Sequence, residues 1–208
     1  MDDISEYKRT RRGFLKLTLM TGSGLVLGFM LDSDAANKST RHWRPNAWLQ
    51  VGTDDSITIS VAESEMGQGV WTSMPMLVAE ELEADWRQVR VRQAPLDPVY
   101  GPQGTGGSTS VRKAWQPLRE AGAAAREMLL AAAARSWRVS PDECYARNSV
   151  VYHDQSGQRF AYGALAGLAA QERVPTTVRL KAVSDFRIVG KRIPRLDTPA
   201  KVNGSAVF

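Results

Sequence analysis

Cysteine is almost missing from this sequence: Cys144 is the only one in 208 residues. A lone thiol excludes an intrachain disulfide, a CxxC redox pair and any iron–sulfur cluster ligated by this chain alone. After Pro141, it reads as a small buried hydrophobe. Histidine is nearly as sparse. His42 sits in a polar stretch and His153 in an expected strand, so no metal-ligand cluster is expected. No run is long and apolar enough for a convincing membrane span. The candidate, Leu17 to Leu31, is short and broken by Gly22, Gly24 and Gly28, which lower its hydropathy and helix propensity. A basic stripe interleaved with aromatics is lacking too. The net charge is +5, yet Arg87, Arg90, Arg92, Arg112, Lys113 and Arg119 are scattered. Nucleic-acid binding needs a patch, so these side chains read as a solvated face and nucleic acid is not an expected partner. The tryptophans (Trp43, Trp48, Trp71, Trp86, Trp115, Trp137) are dispersed, which favours core or interface packing over an aromatic cage.

What is present begins at the N-terminus. Thr10-Arg11-Arg12-Gly13-Phe14-Leu15-Lys16 is a twin-arginine pattern ahead of the modest apolar run. Residues 1–35 therefore read as an export signal, with Ser33-Asp34-Ala35 before Ala36 as the best cleavage match. That route moves folded proteins, so the expectation is a periplasmic protein whose cofactor is inserted before passage through the Tat translocase. Five basic and five acidic side chains cancel within residues 1–35, so the positive excess lies wholly in residues 36–208. Residues 36–46 form a polar linker, and the remainder is long enough for one domain with a sizeable core.

Alternation and punctuation predict the elements. Trp48–Val51 and Ile57–Val61 flank Gly52-Thr53-Asp54-Asp55 as a β-hairpin. Val70–Glu83 carries Met74, Leu77, Val78 and Leu82 at helical spacing, with Pro75 early enough to be tolerated. Val89 and Val91 mark another strand. Val111–Trp137 is the longest helical pattern, with Trp115, Leu118, Gly122, Ala125, Leu129 and Ala132 on one narrow stripe, and Pro117 marks a kink or the true start. Val150–His153 and Phe160–Tyr162 form a second hairpin, followed by a short helix over Gly163–Gln171 and extended chain to Gly190. This mixture predicts an α+β fold.

Two stretches carry the chemistry: Met66-Gly67-Gln68-Gly69 and Thr105-Gly106-Gly107-Ser108-Thr109-Ser110. Each opens a predicted helix. Glycine lets backbone approach a ligand, and a helix start leaves N–H groups aimed at anions. Two such turns in one chain imply a phosphate-bearing cofactor held at two points. Ser108 and Ser110 offer alternate hydroxyls for phosphate oxygens, although a plain N-cap accounts for them as well. Gln68 supplies an amide donor and acceptor where an ordinary turn favours Asn or Asp. Met66 alone reads as core. Trp71 and Trp115 come after the two loops and would wall a site between them.

Glu65-Met66-Gly67-Gln68-Gly69-Val70 with Met76-Leu77-Val78-Ala79-Glu80-Glu81-Leu82 resembles the molybdopterin-binding subunit of the xanthine oxidase and aldehyde dehydrogenase family, most nearly the isoquinoline 1-oxidoreductase β-subunit type. Tyr100-Gly101-Pro102-Gln103-Gly104-Thr105-Gly106-Gly107-Ser108-Thr109-Ser110-Val111-Arg112, with Trp115 and Leu118-Arg119, is similar to that family's second cofactor loop. The resemblance implies a molybdopterin cofactor in dinucleotide form. Met66 and Gln68, within Gly67 and Gly69, would touch the pterin and its tail. Gly106, Gly107, Ser108, Thr109 and Ser110 would hold the pyrophosphate region. It also implies oxidation of an N-heterocycle or aldehyde with water-derived oxygen, and a separate small subunit carrying 2Fe-2S clusters. Residues 47–184 would form the molybdopterin-binding domain and 185–208 the start of a hammerhead-type domain.

Family members are several times longer. The Gly-Gly-x-Phe-Gly loop and the catalytic glutamate near molybdenum have no counterpart here, so no catalytic residue is assigned and the isolated chain is expected to be inactive. Glu63, Glu65, Glu80 and Glu81 qualify as a base only by type, and solvated or helix-facing positions are expected for them. The alternatives are a non-redox nucleotide- or phosphate-binding module, or a non-functional truncated relic with exposed apolar faces.

Overall fold

The computed structural model describes residues 24–27, 48–100 and 103–206. The twin-arginine motif, the cleavage site, the linker, His42 and Trp43 lie outside the described residues. The fold is α+β, as the pattern predicts. Alternating Leu49, Val51, Ile57, Ile59 and Val61 all point into the core at 1% exposure or less. They make the hairpin of β2 (Leu49–Gly52) and β3 (Ile57–Val61). β1 (Gly24–Leu27) pairs antiparallel with β2, so part of the run expected as export signal forms the sheet edge. β4 (Val89–Gln93) pairs parallel with β3, from Ile57 opposite Val89 to Val61 opposite Gln93. Parallel neighbours cannot be joined by a tight turn; the crossover is helix α1 (Val70–Leu82).

Helix α2 (Ser110–Trp137) packs along α1. The expected stripe is buried except for half-buried Trp115, but burial also takes in Ala121, Ala123, Ala124, Met128, Ala133 and Ala134. Alanines nearly all round let neighbours crowd this central helix from several sides. At Gly122 a Cβ would lie 2.4 Å from the Val78 carbonyl oxygen, so only glycine permits this crossing. Pro117 lies inside α2, which begins seven positions earlier. It is therefore not the helix start. A smaller sheet of β5 (Tyr145–Arg147), β6 (Val150–His153) and β7 (Gln158–Ala161) comes next, then α3 (Tyr162–Ala169). The fully buried Tyr162 hydroxyl donates to the Leu82 carbonyl at 2.5 Å, tying α3 to the end of α1.

Residues 179–201 run back over the domain as a strap, closing with the short helix α4 (Thr198–Val202). Two glutamates at the end of α1 hold it. Glu80, 1% exposed, accepts from the backbone N–H groups of Arg187, Ile188 and Val189 at 2.6–3.1 Å and pairs with Lys181. Glu81, fully buried, accepts from Arg119 Nε at 2.7 Å and Lys181 N at 3.0 Å, with Arg126 at 3.6 Å. Both depart from the solvated reading, and so does Arg119. It is 8% exposed, with its guanidinium 5.5 Å and 5.0 Å from the ring centroids of Trp115 and Phe186. Carboxylates this deep persist because charges and N–H groups surround them. The segment from 185, expected to open a following domain, lies against this one, with Ile188 buried in the same core.

Candidate functional site

Loop 62–69 leaves the carboxyl end of β3, and a second loop, described over residues 94–100 and 103–109, leaves the carboxyl end of β4. Adjacent parallel strands deliver both loops to one edge of the sheet, the side on which open α/β sheets bind ligands. Gln93 closes this end. Its amide donates to the Val61 carbonyl at 3.0 Å and accepts from the Trp71 indole N–H at 2.9 Å. The loops themselves are joined by Ser64 N–H donating to the Thr105 hydroxyl at 2.9 Å. Two motifs about 40 positions apart in sequence are thus neighbours in space.

The second loop leaves the start of a long helix open. Gly107 and Ser108 take positive φ of 60° and 52°, turning the chain into α2. The N-cap position is Thr109, whose hydroxyl bonds the Gly106 carbonyl at 3.0 Å and makes no cap to the helix. Among the described residues, the N–H groups of Ser110, Val111 and Arg112 find no acceptor, and the Ser108 and Ser110 hydroxyls no partner. The capping reading of these serines is therefore not what the structure contains. Three open N–H groups at the head of a 28-residue helix form an electropositive site. Exposed Arg112 and Lys113 add to it. A Cβ at Gly106 would meet nothing within 4 Å, which leaves room above the loop.

The first loop differs. Glu65, whose side chain is 5% exposed, accepts from the N–H groups of Gly67 at 2.8 Å, Gly69 at 3.0 Å and Trp71 at 3.0 Å. Helix α1 has no acidic residue in its first turn, so Glu65 supplies the anion its N-terminus attracts. Burial alone raises this carboxyl, but the N–H groups of Trp71, Gly69 and Gly67 prevail and hold it below the usual carboxylate range. The two helix starts therefore differ: the N-terminus of α2 is open, and that of α1 is filled by the protein's own carboxylate. Gln68 is half committed, with Oε1 accepting from Met66 N–H at 2.6 Å and Nε2 donating to the Ser64 carbonyl at 2.8 Å. One donor and one acceptor of its amide remain. Met66, readable as core, is 69% exposed.

Sequence reasoning missed Glu65, Gln93 and Thr105 as organisers. An acidic residue just ahead of a helix was the available signal for Glu65; nothing marked Gln93. Glu63, expected to be solvated or helix-facing, is 9% exposed, with Oε2 lacking a partner among the described residues. Burial pushes its carboxyl up, against the opposing pull of Lys113. Trp71 borders the first loop, whereas Trp115 faces the strap beside Phe186. Cys144 is buried and its thiol is raised by burial. His153 Nδ1 lies 2.7 Å from the Ser156 hydroxyl, inside the second sheet. Among the described residues, no group of three or more His, Cys, Asp or Glu side chains is placed to hold a metal ion. A polar cavity of about 240 Å³ lies at the other end of α1, between Glu80, Asp85, Arg87 and Arg187, away from both loops.

The open start of α2, the half-satisfied Gln68 amide and the exposed Met66 thioether lie on the two joined loops. The molybdopterin cofactor-binding domain model matches residues 3–202. Isoquinoline 1-oxidoreductase subunit β of Brevundimonas diminuta is 33% identical over 96% of this chain and 31% of its own length. The membrane-bound aldehyde dehydrogenase (pyrroloquinoline-quinone) of Gluconacetobacter polyoxogenes is 32% identical over 96% of this chain and 27% of its own. Among solved structures, quinoline 2-oxidoreductase from Pseudomonas putida 86 has a TM-score of 0.49 at 16% identity, over 62% of this chain and 17% of that one. The chain spans less than a third of either curated relative. It belongs to the molybdopterin-binding family of the xanthine oxidase and aldehyde dehydrogenase type that its two loops resemble.

Proposed function

We propose that this chain supplies part of the cofactor cradle of a molybdenum hydroxylase large subunit acting on an aldehyde or an N-heterocycle, with molybdopterin in its dinucleotide form. The observation that carries this reading is the 2.9 Å bond from Ser64 N–H to the Thr105 hydroxyl, which seats the two loops side by side. Ser108, Ser110 and the open N–H groups of α2 take the pyrophosphate, with Gly106, Gly107 and Thr109 shaping the turn. Met66 and the free half of the Gln68 amide take the pterin side, with Gly67 and Gly69 shaping that loop. Bound molybdopterin supplies the redox-active molybdenum for inserting water-derived oxygen into an electron-poor carbon.

The chain's own part is to bind and orient. Glu65, Glu80 and Glu81 are committed to N–H groups and cations, so none of these three is available as a base; Glu63 qualifies only by type, and the chain by itself is expected not to turn over substrate. Electrons would leave through a small subunit with 2Fe-2S clusters, in keeping with a single buried cysteine. Export by the twin-arginine route to the periplasm is supported by the Thr10–Lys16 motif. The substrate class rests on the relatives' names, and the cofactor on the family, not on the quinone that one relative's name carries.

The test is to purify the chain and measure molybdenum and acid-released nucleotide together. Both are expected in equal amount. Ser108→Ala with Ser110→Ala should lower both about tenfold or more, since two hydrogen bonds to a charged group are lost. Nucleotide without molybdenum would point to a non-redox phosphate-binding module. Turnover by the isolated chain would overturn the inactivity.

A further inference from the structure

The first loop is held from a distant part of the chain. Arg195 Nη2 lies 3.1 Å from Glu65 Oε1 and donates to the Gly67 carbonyl at 3.0 Å. The same guanidinium covers Gly69, where a Cβ would sit 3.4 Å from Nη2. Beside it, Leu196 N–H donates to the Thr72 hydroxyl at 3.0 Å, in the first turn of α1. Asp197 steadies the arginine from its other side, with Oδ1 3.4 Å from Arg195 Nε, and Lys201 pairs with Asp197 at 2.5 Å. Lys201 Nζ also stands 3.8 Å from Glu65 Oε1. Arg195, Leu196, Asp197 and Lys201 therefore form a clasp over the turn from Glu65 to Thr72.

The chemistry explains why a clasp is needed. Gly67 and Gly69 adopt positive φ of 100° and 91°, conformations that glycine leaves as readily as it enters. Glu65 gathers three N–H groups, but its carboxylate is itself confined only if something fixes it. A guanidinium reaching both Glu65 Oε1 and the Gly67 carbonyl locks the acceptor and the loop together. The loop's shape is then set by the protein before any ligand arrives, which reduces the ordering entropy of binding.

We propose that Arg195 is a positioning residue for the first cofactor loop, acting through Glu65 and the Gly67 carbonyl to preset how Met66 and Gln68 are presented. The proposal rests on the molybdopterin reading for the identity of the ligand, but not for the clasp itself. Amide hydrogen exchange on the full chain, resolved at Gly67, Gly69 and Trp71, tests it without bound cofactor.

Arg195→Met should speed exchange at those three amides about tenfold or more, while the interior of α2 is unchanged. Arg195→Lys, which keeps a donor for both acceptors, should restore most of the protection. Thr72→Val removes only the acceptor of Leu196 N–H and gives the same local pattern, more weakly, even where Arg195→Met accumulates poorly. Unchanged exchange at the three amides in Arg195→Met and Thr72→Val overturns the proposal. So does an equal acceleration across the whole chain, or a failure of lysine to rescue. Molybdenum and nucleotide retention, measured in parallel, report on the ligand reading alone. A wild-type chain that binds neither, yet shows the local exchange pattern, sinks that reading and leaves the clasp standing.

Discussion

Gly122→Ala is expected to destabilise the chain by about 2 kcal/mol net. The new Cβ would lie 2.4 Å from the Val78 carbonyl oxygen and 3.0 Å from Glu81 Cβ. The first contact is backbone within α1, so it cannot swing aside as the tip of a side chain would. Relief requires α1 and α2 to separate, and overpacking of that kind costs roughly 3 kcal/mol at the upper end of the usual range. Against it stands the gain of about 1 kcal/mol when alanine replaces glycine inside a helix. The clash prevails. For a domain of this size the melting temperature should fall by about 4–8 °C. Gly122→Val loses the propensity gain and should fall further. A melting temperature equal to or above wild type for the alanine variant would show that the helices do not cross at this point.

Glu80→Ala should be more damaging, by about 3–5 kcal/mol, because it leaves the N–H groups of Arg187, Ile188 and Val189 without an acceptor and Lys181 with Glu83, 2.8 Å away, as its remaining carboxylate. Lys181 is 10% exposed, so water can replace the lost carboxylate only if the strap lifts. Exchange at the amides of Arg187, Ile188 and Val189 should rise first. The same site sets a pH dependence. Burial raises the Glu80 carboxyl, yet Lys181 and the N–H groups of Val189, Ile188 and Arg187 together bring it below its ordinary value of 4.5. A carboxyl depressed by folding stabilises fully above its unfolded value, and that contribution disappears as pH falls through the folded one. Acid should therefore loosen the wild-type strap only below about pH 4.5. Glu80→Gln should start less stable and show a shallower fall over that window. Parallel melting curves from pH 7 to pH 3 for the two proteins would refute this account.

Much of this fold was legible because its signals are local. The hairpin at Gly52-Thr53-Asp54-Asp55, the strand at Val89 and Val91 and the long alanine-rich helix are all dictated by spacing within a dozen residues. β5 and α4 escaped because three and five residues carry too little periodicity to register. Of the candidate site, the two glycine-containing loops and the family they resemble were visible. Their adjacency was not, since it depends on β4 pairing parallel to β3; the strand–helix–strand order permits a parallel pair but does not say which strands are neighbours. The four glutamates show the same limit most clearly. Glu65, Glu80 and Glu81 look like solvent-facing charges until partners from positions 119 to 201 reach them, and Glu63 until the fold closes over it. Burial of a charge is decided by what arrives from elsewhere in the chain.

The contact between Arg195 and Glu65 spans 130 positions, and this separation has a temporal meaning on the ribosome. Synthesis runs at about 5–20 residues per second, so on the order of 10 s passes between making the glutamate and making the arginine. Through that interval β2, β3, α1 and β4 can assemble, whereas the Met66–Gly69 turn still lacks its guanidinium. The Met66–Gly69 turn reaches its final form late in translation, after the sheet beneath it has had time to close.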